Sequence, residues 1–106
     1  MTVLLPDAPT DLTVVNRKAT QIDFEWSQPQ NKGGIELIGY KVYMAQDSAD
    51  FELVADAPSN LNPIYNWHTQ TALTPNTWYS FKVSSVNSVG ESDLTEAILV
   101  LAADMP

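Results

Sequence analysis

Residues 73–83, Leu73-Thr74-Pro75-Asn76-Thr77-Trp78-Tyr79-Ser80-Phe81-Lys82-Val83, decide the fold. The stretch opens on a turn: Pro75 fixes its own φ and forbids continued helix or ladder pairing. From Tyr79 onward apolar and polar residues alternate, with Tyr79, Phe81 and Val83 on one parity and Ser80 and Lys82 on the other. A strand sends alternate side chains to opposite faces, so this is half-buried β structure. Leu73 is expected to plug the end of a core. Tyr79 is expected to lay its ring on that core and return its hydroxyl to a backbone group near the turn.

The same period of two recurs outward from this stretch. Leu12 and Val14 alternate with polar neighbours, and Ile22, Phe24 and Trp26 do so around Asp23, Glu25 and Ser27. Ile38, Tyr40, Val42 and Met44 alternate with Gly39, Lys41, Tyr43 and Ala45. No stretch keeps helical apolar spacing for three turns. Turn-forming runs separate the strands: Gln28–Gly34, Gln46–Asp50, Ala57–Pro63, Leu73–Thr77 and Asn87–Asp93. Seven strands are expected near residues 10–15, 21–28, 36–46, 51–56, 64–71, 78–87 and 95–102, an all-β antiparallel sandwich. Two of them leave their register open. In 64–71, Tyr65 and Trp67 suggest one inward set, but Thr69 and Thr71 on that parity are polar, which a bulge or an exposed edge would reconcile. Ala97–Leu101 is apolar on both parities.

The chain has 106 residues, enough for one domain that buries about two-thirds of its surface around a single core. There are no cysteines, so packing alone must hold it in either redox compartment. The longest apolar run, Ala97–Ala103, falls far short of the ~20 residues of a membrane span. Residues 1–9 lack the basic flank and apolar stretch of a signal peptide. A formal charge of −8, with only Arg17, Lys18, Lys32, Lys41 and Lys82 as cations, argues against nucleic acid and anionic lipid as partners.

Several stretches, in order, resemble the fibronectin type III family over nearly the whole chain. Pro9 with Leu12 and Val14 looks like its first strand, and Trp26 followed by Pro29 like its second. Gly33-Gly34-Ile35 leading to Gly39-Tyr40-Lys41-Val42-Tyr43 is similar to the next loop and strand. Residues 73–83 match its most specific stretch, and Val86-Asn87-Ser88-Val89-Gly90-Glu91-Ser92 its last hairpin. The resemblance implies a seven-stranded immunoglobulin-like sandwich with Trp26, Tyr40, Leu73, Pro75 and Tyr79 as structural residues. Gln70 departs from the pattern, standing where an aliphatic is expected. Some members carry an integrin-binding Arg-Gly-Asp in the loop at Asn87–Asp93. This chain has none there, so that function is not carried over.

Catalytic chemistry finds little to work with. His68 is the single histidine, and no G-x-S-x-G elbow or phosphate-binding glycine loop occurs. Zinc lacks ligands. Asp23 and Glu25, and the group Asp47, Asp50, Glu52 and Asp56, read as a solvated acidic face. Asp47 and Asp50 also allow a weak Ca²⁺ site, though the D-x-[DN]-x-[DN]-G frame is missing. No enzyme activity and no cofactor are expected. Tyr43 and Trp78 fall on the parity opposite Tyr40 and Tyr79, so they either anchor a partner or cover neighbouring strands. With the loop residues Asn87, Ser88, Val89, Gly90 and Glu91 they are the candidate partner contacts.

The expectation is one module, with its core at about 7–102 and linker segments at 1–6 and 103–106, drawn from a tandem or multidomain protein. Its role would be spacer or protein-interaction unit, monomeric in isolation, with neighbouring domains of the same chain as partners. An extracellular or cell-surface setting, with a part in cell adhesion, is expected, and the cytoplasm is the alternative. Two other functions remain: a ligand-binding module of a receptor or adhesin, and an accessory domain of a carbohydrate-active enzyme, where exposed aromatics stack on sugars.

Overall fold

Tyr79, Phe81 and Val83 turn inward and are at most 2% exposed, as their parity requires. They lie on β6 (Trp78–Val86), the longest strand of a computed structural model that describes residues 3–47, 49–55 and 66–104. Among these residues seven strands form two antiparallel sheets, with no helix. β1 (Thr10–Arg17), β2 (Ile22–Ser27) and β5 (Trp67–Gln70) make one sheet in the order β1-β2-β5. The other holds β3 (Gly39–Gln46), β4 (Glu52–Ala55), β6 and β7 (Ile98–Leu101) in the order β4-β3-β6-β7. The fold is an all-β, immunoglobulin-like sandwich.

The core lies between the sheets. Ile22, Phe24 and Trp26 from β2 meet Tyr40 and Val42 from β3 and the inward residues of β6. Phe24 bridges the layers, with its ring centroid 4.7 Å from Phe81 and 5.9 Å from Trp26. Trp26 meets Tyr40 edge-on at 5.2 Å. Leu73, 6% exposed, closes one end of this cluster. Beside it the Thr74 amide donates to the Tyr79 hydroxyl at 2.8 Å, while Asn76 takes a left-handed backbone (φ 58°) that makes the turn. We expect Tyr79→Phe to lower stability by about 0.5–1.5 kcal/mol through this one lost bond. Paired urea melts check it, and an unchanged midpoint would contradict it.

Two local expectations need correction, and the register left open in 64–71 is resolved as an exposed edge. The last strand begins at Ile98 rather than 95, because side-chain hydroxyls take over the pairing upstream. Ser92 and Ser85 exchange two bonds through the Ser92 amide and Oγ, and Thr95 and Val83 do the same through the Thr95 amide and Oγ1. The third strand begins at Gly39, so alternation does not reach Ile38, which is 38% exposed while Leu37 is buried. In β5 the inward set is His68 and Gln70, opposite Phe24 and Ile22, and Trp67 faces out at 53% exposure. His68 Nε2 and Gln70 Oε1 lie 2.9 Å apart, so the polar pair satisfies itself at the core margin. This accounts for Gln70 standing in place of an aliphatic. Ile64, Tyr65, Asp56 and the Ala57–Pro63 loop lie outside the described residues.

Candidate functional site

The turn after β6 was expected to offer Asn87 to a partner, but Asn87 is 2% exposed and fully engaged within the domain. Its Nδ2 donates to the carbonyls of Leu4 (2.8 Å) and Lys32 (2.9 Å). Its Oδ1 accepts the amides of Val89 (2.9 Å) and Gly90 (3.2 Å). One side chain thus ties three segments together: the N-terminal stretch, the loop between β2 and β3, and the turn after β6. The N-terminal stretch is held further by backbone bonds, Leu4 N–H to Gly33 O at 2.8 Å and Asp7 N–H to Asn31 O at 2.9 Å. Gly33 is required here: its φ is +85°, and a Cβ would stand 2.0 Å from the Leu4 carbonyl oxygen. Residues 3–9 therefore form a strap along one pole of the sandwich. Of the candidate contacts Asn87 to Glu91, only Ser88 and Val89 are well exposed.

Tyr43 and Glu91, proposed separately as contacts, meet on the outer face of the four-stranded sheet. Glu91 Oε2 accepts hydrogen bonds from the Tyr43 hydroxyl and from Ser84 Oγ, both at 2.6 Å. Lys41 Nζ stands 3.9 Å from the other carboxylate oxygen. Nearby, Lys82 Nζ lies 4.7 Å above the Phe51 ring. This face is cross-braced, so Tyr43 acts first as part of a bonded network. Trp78 stands apart from it, at the start of β6 and 47% exposed, beside Leu101 on β7.

His68 sits against the Phe24 ring, 5.6 Å between centroids. Burial lowers its pKa below the ordinary value of 6.5, and the bond to Gln70 offsets part of that. Because the unfolded chain binds the proton more readily, this contribution to stability is full above pH 6.5 and is lost as pH falls through 6.5 toward the lowered folded value. We expect the urea midpoint to drop between about pH 7.5 and about pH 5.5 and His68→Gln to flatten that drop. An equal drop in both proteins would contradict the assignment. Burial also pushes the Tyr40 phenol above its ordinary value, with the Trp26 indole beside it drawing it partly back.

Among the described residues no group of three or more His, Asp or Glu side chains is placed to hold a metal ion, and Asp47 and Asp50 flank a turn without further ligands gathered there. The features that parity reasoning missed are backbone ones. The Leu4 carbonyl and the Gly33 backbone leave no pattern of residue types, although the pair Gly33-Gly34 facing a buried Asn is the available signal.

The fibronectin type III domain family model matches residues 7–100. Among curated proteins, M-protein of striated muscle from Gallus gallus is 32% identical over 106 residues, covering 95% of this chain and 7% of that protein. A crystal structure of titin domains superposes with a TM-score of 0.84 at 22% identity, covering 96% of this chain and 34% of that one. The twitchin kinase region from C. elegans gives 0.84 at 20% identity, covering 94% of this chain and 17% of that one. At these identities the structural likenesses show the fold. The chain spans a small part of each of these proteins.

Proposed function

The chain belongs to the fibronectin type III family, and on that premise we propose that it is a non-catalytic spacer and protein-interaction module of a larger modular protein. The observation that carries this is the strap. With Leu4 and Asp7 bonded to the loop after β2 and Asn87 locking the Leu4 carbonyl, the segment leading into the sandwich cannot swivel freely. A spacer needs that property, because a preceding unit is then held at a set angle rather than on a loose tether. The 49 Å long axis would set the separation. Neighbouring domains of the same chain are the first partners, and the strap at residues 3–9 belongs to the sandwich rather than to a loose connection.

Similarity to a striated-muscle protein supports the cytoplasmic alternative over an extracellular or cell-surface setting and weakens the case for cell adhesion. The second reading, a dedicated binding module, has Trp78 in its favour, an indole nearly half exposed. Affinity capture from the native extract with the wild type and Trp78→Ala separates the two. A spacer retains no Trp78-dependent protein, whereas a specific partner lost in the variant would establish the binding module instead.

A further inference from the structure

β7 closes one sheet and β1 the other, so two free edges run side by side along one flank of the sandwich. The seam between them holds two depressions. One, of 280 Å³, is bordered by Asp11 and Glu96. The other, of 430 Å³, is lined by Val14, Arg17, Trp78, Leu99 and Leu101. The seam is therefore acidic at one end, and apolar with a guanidinium at the other. Arg17 makes no ion pair among the described residues.

The edge itself is unusually open. β7 reads Ile98-Leu99-Val100-Leu101, with no charge, proline or bulge, and Leu99 is 63% exposed. Sandwich edges are normally blunted by such devices, because an apolar edge is a template for another strand. Ala102 turns both backbone groups toward the turn before β6, accepting from Asn76 N–H at 2.8 Å and donating to Thr77 O at 2.9 Å. Antiparallel alternation then leaves the N–H and C=O of Leu99 and Leu101 on the outer edge.

We propose that this seam pairs with a second copy of the chain, β7 against β7, antiparallel about a two-fold axis. Charge selects this occupant and this direction. Antiparallel pairing with Leu99 opposite Leu99 of the second copy lays Glu96 beside Ala102 of the other chain, at the end where Arg17 sits. The contact forms twice, as two-fold symmetry requires. Parallel pairing would set acid beside acid. Leu99 and Trp78 lose water on both sides of the axis. Four-residue strands bury little, and each copy carries a net charge of −8, so the association is weak and transient. It uses the flank and leaves both poles free for neighbours in the same chain, so it does not rest on the spacer reading.

Sedimentation equilibrium of the chain, up to about 0.5 mM, reads the association directly. The wild type is expected to show a monomer–dimer equilibrium. Arg17→Glu and Glu96→Arg are each expected to weaken it by about tenfold or more, since both contacts become like-charged. Mixed together, the two variants place opposite charges at both contacts, and dimer is expected to return. That return also shows both variants folded. A wild type that stays monomeric throughout overturns the proposal. So does a dimerising wild type whose variants associate equally well alone, or fail to associate with each other.

Discussion

Trp26→Ala is expected to cost about 3–5 kcal/mol, the range for removing a large aromatic from a filled core. Trp26 is 1% exposed and packs on Phe24 and Tyr40, so alanine leaves a cavity with ring walls from both sheets. Those rings are fixed by strand register and can collapse only partly. A domain of this size holds about 5–15 kcal/mol in total, so the variant would stand near the limit of folding. Urea melts followed by circular dichroism measure the loss. Trp26→Phe should cost less than half as much as the alanine variant, because a ring still fills most of the space between Phe24 and Tyr40. A cost below about 1.5 kcal/mol for the alanine variant would mean that the centre of the sandwich lies elsewhere.

Asn87→Ala carries the second large effect, about 2–4 kcal/mol. The cost comes from four bonds lost at once, leaving the Leu4 and Lys32 carbonyls and the Val89 and Gly90 amides without the groups that satisfied them. Asn87→Asp should be harmful too, because a carboxylate cannot donate to the two carbonyls. Urea midpoints again decide, and a shift within about 0.5 kcal/mol would show that the strap is not held through this side chain.

The elements with strict alternation were legible from sequence. Period two in residues 22–27 and 78–86 fixes which face is buried, and hydrophobic burial then brings the two sheets together with Trp26 and Tyr79 inside. Legibility failed where polar groups stand in for apolar or backbone ones. His68 and Gln70 form an inward pair that reads as polar and hence outward. Ser92 and Thr95 use hydroxyls where a strand would use its main chain, which moves the start of β7. The candidate contacts divide along the same line. Trp78 is nearly half exposed, as the opposite parity to Tyr79 implies. Asn87 is buried because its partners are carbonyls up to 83 residues away, which no local pattern announces. Arg17 and Leu99 acquire meaning only when the two sheet edges come side by side.

Steady-state ¹⁵N heteronuclear relaxation at the Leu4 and Asp7 amides tests the strap most directly. These amides should report the same restricted motion as those of Phe81 and Val83, and Asn87→Ala should release Leu4 while leaving β6 ordered. Leu4 and Asp7 amides as mobile as a free chain end in the wild type would contradict the account.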